Sequence, residues 1–379
     1  MIYLFYGILT VYSLFVLLLD NGIRKLKFRI ANSPSPATDF SILIAFRNEA
    51  DMLPRLLKSL AALKYPRRKM EIIFIDDHSN DQSVQVISAF MAENPEFDIK
   101  ILKNKADSLS PKKEAISLAI QKSSYPWVIT TDADCQVVNS WLDTFDAFIQ
   151  NNEAEMLAAP VSYLAKGSYL DNFQWLDFIS LQGTTMGLFG LDYQYFTRPI
   201  LCNGANLCYK KSLFEKVGGF GGNREIASGD DIFLLEKVVN KFPKSVKFVK
   251  SIDCLVLTDP KENLGDLVSQ RLRWASKTKA SRHPFAKLTG ILVFLTNLSL
   301  VISFILSVLG VLSWMHFGLL FLVKFNIDFI LLYRTAQFLK AEQALKSYFL
   351  TAVFHPIFTV FIFILSLGSG YKWKDRNYK

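Results

Sequence analysis

Residues 2–19, IYLFYGILTVYSLFVLLL, carry no charged side chain and are long enough to cross a bilayer. In hydrocarbon the backbone must satisfy its own hydrogen bonds, so such a segment has to be a helix. The basic cluster Arg24, Lys25, Lys27 and Arg29 follows it, with neither a basic n-region nor a small-residue cleavage site. Residues 1–22 therefore read as an anchor, with the following chain on the cytoplasmic side. Three more apolar stretches, 288–312, 314–333 and 348–368, lie in the segment 286–370. Lys324 and Asp328 in the second of them sit i,i+4 and can neutralise each other. Three full crossings would leave the basic tail, residues 371–379, outside. Two crossings and one interfacial or re-entrant segment would keep it inside. Both arrangements stay open at this level.

Between the anchors the pattern changes. After the linker ANSPSPAT, residues 38–285 alternate short apolar runs with helical periodicity. DFSILIAF, MEIIFIDD, FDIKILKN and YPWVITTDA read as buried strands, with helical stretches between them. Such alternation predicts a doubly wound α/β sheet that binds its ligands at the carboxyl ends of its strands. The net charge of +9 points to an anionic membrane surface or a phosphorylated substrate. No basic tract interleaved with aromatic residues tracks a nucleic-acid backbone, so nucleic acid is not expected as a partner. Four cysteines without a CxxC pair argue against a zinc site or a disulfide framework.

Acidic residues collect where that sheet would place its ligands. The first strand ends in AFRNE, the second in IDDHSND and the fourth in TTDAD. Neither GxGxxG nor GxxxxGK[ST] is present, so dinucleotide and P-loop scaffolds are excluded. Carboxylates at strand ends can accept hydrogen bonds from a nucleoside or hold a divalent cation against a diphosphate. Their hard oxygens suit Mg2+ or Mn2+. DAD alone is a weak sign, since a polar strand end explains it equally well. Behind a second acidic strand end it becomes a candidate cation site. Further on, SGDDIFLLEKV (228–238) places Asp230 and Asp231 at a helix start, where first-turn acids are also plain capping. In QRLRW (270–274), Arg271 and Arg273 are forked donors suited to phosphate oxygens, and Trp274 is a platform suited to a sugar face. A basic helix beside anionic lipid explains the same residues.

Taken in order, FRNE (46–49), DDHSND (76–81), DAD (132–134), GDD (229–231) and QRLRW resemble the motifs of membrane-bound glycosyltransferases of family 2. The resemblance covers roughly residues 38–280 and the flanking anchors. It implies a GT-A type doubly wound, Rossmann-like mixed sheet between N- and C-terminal transmembrane helices. It also implies an inverting hexosyl transfer from a nucleotide-diphosphate sugar, UDP by resemblance, with a divalent metal, Mg or Mn. Glu49, Asp76, Asp77, Lys112 and Asp132 would bind the donor, and Asp134 the metal. Asp231 would be the catalytic base with Asp230 beside it, a register assignment because the family's "ED" is "DD" here. Gln270, Arg271, Arg273 and Trp274 would meet diphosphate and acceptor, and CNGANLCYKKSLFEKVGGF (202–220) would line the sugar side. The tail WKDRNY is similar to a W-K-G-R-x-Y ending, with Asp375 in place of the glycine. The implied acceptor is a lipid, lipid-linked or saccharide hydroxyl at the cytoplasmic face of the cell membrane. A processive polysaccharide synthase and a non-catalytic nucleotide-sugar-binding scaffold are the alternatives. SYLDNFQWLDFISLQGTTMGLFGL (168–191) reads equally as an interfacial stretch or as a helix packed on the sheet.

Overall fold

The structure, a computed structural model, describes every residue except 29–34, 106–108, 165, 192–197, 223–225, 227, 282, 369–370, 374–375 and 379. Its elements begin with α1 (Ile2–Lys25), β1 (Phe40–Phe46), α2 (Leu53–Ala61), β2 (Met70–Asp76), α3 (Ser83–Glu93) and β3 (Asp98–Lys103). Next come α4 (Pro111–Lys122), β4 (Trp127–Thr130), β5 (Cys135–Val137), α5 (Trp141–Asn151), β6 (Met156–Ala158) and β7 (Val161–Tyr163). They are followed by α6 (Tyr169–Gly190), β8 (Leu207–Lys210), α7 (Lys211–Lys216), α8 (Asp230–Lys241), β9 (Val246–Phe248) and β10 (Val256–Thr258). Last are α9 (Leu264–Ala280), α10 (Pro284–Val308), α11 (Trp314–Leu339), α12 (Tyr348–Gly368), β11 (Tyr371–Trp373) and β12 (Arg376–Tyr378).

Two compact units result. A sheet unit comprises Lys27–Leu164 and Leu201–Asp259, and a helical unit comprises Met1–Leu26, Ala165–Ile200 and Pro260–Lys379. Two pieces of the stretch expected as one domain over 38–285 thus group with the apolar helices.

In the sheet unit seven strands run in the order β3-β2-β1-β4-β8-β6-β9. β1 lies parallel to β2 and β4, whereas β8 is antiparallel to both β4 and β6. The sheet is therefore mixed. β1 and β2 are buried along almost their whole length, as strands covered on both faces must be. α2 buries Leu53, Leu56, Leu57 and Leu60, the i, i+3, i+4, i+7 face that its sequence predicts. The chain steps outward from β1 through β2 to β3, then returns to β4 on the other side. That reversal opens a crevice beyond the carboxyl ends of β1, β2 and β4.

Among the described residues the helical unit contains four segments long and apolar enough to cross a membrane: α1, α10, α11 and Glu342–Gly368. They leave large apolar side chains exposed, among them Leu14, Leu288, Leu319 and Phe349, which suits lipid rather than water. Polar rungs join α1 to α11. Tyr6 Oη meets His316 Nδ1 at 2.8 Å, Tyr12 Oη donates to Asp328 Oδ1 at 2.7 Å, and Arg334 pairs with Asp20. Lys324 takes the other oxygen of Asp328, so the i,i+4 pair is present and closed by a tyrosine. α6 packs on α1 and α11. The approach requires glycine: a Cβ on Gly22 would stand 2.0 Å from the Gly187 carbonyl oxygen. The 168–191 stretch thus finds its partners among the apolar helices of its own unit.

Candidate active site

The strand-end loops of β1 and β2 are built on each other. The Arg47 guanidinium donates to the carbonyls of Asp77 and His78 at 2.7 and 3.1 Å. Asn48 and His78 both adopt left-handed backbone, φ 51° and 59°, which is uncommon outside glycine and marks loops fixed by their surroundings. Glu49, half-buried, anchors its N–H on Ser83 Oγ at 2.8 Å. Within DDHSND the acids divide their work. Asp81 accepts from the Ala50 and Ser83 N–H groups and the Ser83 hydroxyl, and Asp76 accepts from the Ser79 N–H. Burial works against the Asp81 charge, but these donors outweigh it and hold its carboxyl below the usual range. Asp77 is buried and accepts from Asn104 Nδ2 at 2.9 Å, at the end of β3. Asp81 is therefore a loop brace, while Asp76 and Asp77 stay at the crevice.

Beyond β4 the acids gather around one lysine. Lys112, at the start of α4, reaches Asp132 Oδ1 at 2.6 Å and Asp230 Oδ2 at 3.6 Å. Burial opposes its ammonium, yet Asp132, Asp230 and Asp231 prevail and hold its pKa far above that of an ordinary lysine. Asp231 is buried and accepts the Gly204 N–H at 3.2 Å and the Ile232 N–H at 2.8 Å. Gly229, with φ 85°, turns the chain into α8 just before these acids. Gly204 belongs to the CNGAN stretch, and a Cβ there would lie 3.1 Å from Asp230 Oδ2. Sequence positions 112, 132, 230 and 231 are thus brought together.

Carboxylate oxygens of Asp132 and Asp134 and the Cys135 sulfur lie within 4.8 Å of one another. Burial, with Asp134 and Asp132 adding to it, pushes the Cys135 thiol well above its ordinary pKa. What remains for a cation is a pair of hard oxygen donors, which fits Mg2+ or Mn2+ and disfavours a thiophilic metal.

QRLRW lies on α9 in the helical unit. Arg271 is buried there, with Nε 2.7 Å from Asp177 Oδ2 and its guanidinium 4.1 Å from the centre of the Trp274 ring. Burial disfavours the Asp177 charge, but Arg271 and then His355 reverse this and keep its carboxyl well below the usual range. Gln270, Arg273 and Trp274 are half-buried. β11 and β12 pair as an antiparallel hairpin, and Asp375 between them lies outside the described residues.

Residues 41–218 match the glycosyl transferase family 2 profile. The chain thus carries a stretch of glycosyl transferase family 2 type, a little under half its length. Among curated family members, the poly-beta-1,6-N-acetyl-D-glucosamine synthase of Staphylococcus epidermidis is 26% identical over 239 residues, 62% of this chain and 53% of that protein. The beta-monoglucosyldiacylglycerol synthase of a Nostoc species is 29% identical over 102 residues, 27% of this chain and 21% of its own. The chain thus spans about half the length of that Staphylococcus epidermidis synthase. A mannosyltransferase from Pyrobaculum calidifontis, solved with GDP-Man and Mn2+, superposes with a TM-score of 0.59 at 14% identity. That match covers 93% of this chain and 96% of the other, and it shows the shared GT-A type fold.

Several residues around these motifs carry weight that sequence reading missed. Asn104 gave a signal, being a polar residue at a strand end level with the acids. Lys113 looked like a repeat of Lys112, yet it is buried and donates to the Ile226 carbonyl at 2.7 Å, tying α4 to the loop before α8. Asp177 and His355 lie in apolar helical stretches with no motif around them, so nothing local marked them.

Proposed function

We propose that this chain moves a sugar, with inversion, from a nucleotide-diphosphate sugar to a lipid or lipid-linked hydroxyl at the cytoplasmic face of the cell membrane. The observation that carries the reading is the gathering of Asp132, Asp230 and Asp231 around Lys112, beside Asp134, at the switch point of the sheet. Asp76 and Asp77 bind the nucleoside, with Asn104 fixing Asp77, and Glu49 supports them from the neighbouring loop. Lys112 and Asp132 orient the donor. Asp134 would hold a divalent cation, which would offset the negative charge of a departing diphosphate. Asp231, anchored by the Gly204 and Ile232 N–H groups, accepts the acceptor proton as the hydroxyl attacks the anomeric carbon, with Asp230 beside it 3.6 Å from Lys112. Only one base is needed for a direct displacement. Gln270, Arg273 and Trp274 serve diphosphate and acceptor.

UDP is the proposed nucleotide, with GDP the competitor because the mannosyltransferase was solved with GDP-Man. The lipid acceptor draws support from the diacylglycerol synthase likeness. A second reading, polymer extension, is favoured by the longer match to polysaccharide synthases. Purified membranes incubated with radiolabelled UDP- and GDP-sugars and Mn2+ separate these. Label in the organic extract supports a lipid acceptor, and label in insoluble polymer supports a synthase. Absence of both, with no nucleoside diphosphate released, leaves only a binding scaffold.

The sidedness of the tail belongs to the same reading. α12 packs Phe358, Ile362 and Leu365 on Val268, Leu272 and Ala275 of α9, and β11 lies beside α9. These contacts favour two crossings, α10 and α11, with α12 interfacial or re-entrant and the tail on the cytoplasmic side. A single cysteine placed in the tail should react with a membrane-impermeant maleimide only in inside-out vesicles. Labelling from the other face overturns this topology.

A further inference from the structure

The two arginines of QRLRW stand two residues apart on α9, so at about 100° per residue they point roughly 160° apart. They cannot meet one ligand in the same way. Leu272 between them faces α12, and Arg271 lies on the flank of that apolar side. Its side chain is only 7% exposed, and Nε donates to Asp177 Oδ2 on α6 at 2.7 Å. Asp177 Oδ1 is 3.0 Å from His355 Nε2 on α12. An ionised carboxylate can only accept, so Nε2 carries the hydrogen, and Nδ1 faces Thr359 Oγ1 at 3.4 Å.

From Arg271 the order passes to its neighbours in the motif. Its Nη1 donates to Gln270 Oε1, and its plane lies over the Trp274 ring. Phe178, next to Asp177 on α6, packs on the same indole with ring centres 6.1 Å apart. With Oε1 occupied, Gln270 presents its amide N–H groups, which suit an oxygen-rich ligand.

We propose that Asp177 and His355 are positioning residues for the QRLRW motif. They fix Arg271 as an internal strut, and Arg271 sets Gln270 and Trp274 for diphosphate and acceptor. This rests on the glycosyl-transfer reading and departs from the sequence expectation at one point: Arg271 braces the motif instead of meeting the ligand.

The test uses the full chain in nanodiscs, with Asp177→Asn, Arg271→Gln, their double variant and His355→Leu. Misplacing the motif should lower kcat for Asp177→Asn on the order of 10²-fold with donor KM within about threefold. The double variant should be no worse than the poorer single one, as residues acting in series are not additive. Acrylamide quenching of Trp274, read as wild type minus Trp274→Phe, should rise in Asp177→Asn. Should that variant fail to fold, His355→Leu, which leaves Arg271 paired, should show the same pattern at about tenfold. Wild-type protein that transfers no sugar while quenching still responds defeats the transfer reading alone. Unchanged quenching with kcat within about twofold of wild type, or losses that multiply in the double variant, overturns the positioning role.

Discussion

Each unit holds a lysine–aspartate pair, and the two pairs differ in what surrounds them. In the helical unit Lys324 meets Asp328 one turn away, and the Tyr12 hydroxyl takes up the remaining acceptor. One charge of each sign is present and closed off, with side chains 7% and 19% exposed. In the sheet unit Lys112 meets Asp132 across the crevice, with Asp230 and Asp231 on the same ammonium and Asp134 nearby. Three carboxylates act on one ammonium there, a gathering of like charge that suits a cation. A balanced pair holds helices together, whereas an unbalanced one invites a ligand.

The largest expected effects fall on the unbalanced cluster. Asp231→Asn should lower transfer by about 10³-fold or more while nucleotide binding, measured by titration calorimetry, persists. Asp134→Ala should lose metal-dependent turnover, and Asp132→Ala should act chiefly by raising donor KM. Normal activity in both DAD variants would return that strand end to plain polar loop. Lys112→Met should lower kcat/KM on the order of 10²-fold with little change in melting temperature. A large fall in melting temperature with kcat preserved would instead make Lys112 a structural residue.

The helical pair should behave in the opposite way. Asp328→Leu alone strands a buried ammonium and should cost about 3 kcal/mol, read as a fall in melting temperature in nanodiscs. Replacing the whole set, Tyr12→Phe, Lys324→Met and Asp328→Leu, should restore most of that and leave turnover within about twofold of wild type. Loss of turnover without loss of stability in the triple variant would break the contrast between the two pairs.

The same contrast explains what the sequence made legible. The strands, the strand-end acids and the apolar segments are local signals, since periodicity and charge placement write them within ten residues. DDHSND, DAD and GDD could be placed at one crevice because a doubly wound sheet fixes where strands end. What stayed hidden depends on partners far apart in the chain. Asp81 looks like Asp76 in the sequence and differs only because Ala50 and Ser83 donate to it. The α6 stretch reads equally as interfacial or as packed on the sheet, because close approach to Gly22 becomes visible only once α1 lies against it. Arg271 and Arg273 read alike for the same reason, although a helix must turn them apart.

A third pair tells whether location or imbalance decides function. Glu71, fully buried in β2 of the sheet unit, pairs with Lys100 and accepts from Ser41 and the Ser124 N–H. Its carboxylate is closed off like that of Asp328, with Asp98 a weaker second partner of Lys100 at 3.8 Å, but it shares the fold of the candidate site. Burial opposes its charge, yet Lys100, Ser41 and Ser124 outweigh this and hold the Glu71 carboxyl below its ordinary range. A depressed carboxyl pKa stabilises the fold above the unfolded value of about 4.3, and that contribution fades as pH falls through the folded value. The melting temperature of wild type should therefore drop on acidification below roughly pH 4.5, and Glu71→Gln should flatten that drop while lowering the plateau at neutral pH. Turnover at neutral pH should stay within about twofold, because no ligand reads a balanced pair. An unchanged acid limb in Glu71→Gln would sink the linkage, and a collapse of turnover in folded protein would show that location, not imbalance, governs.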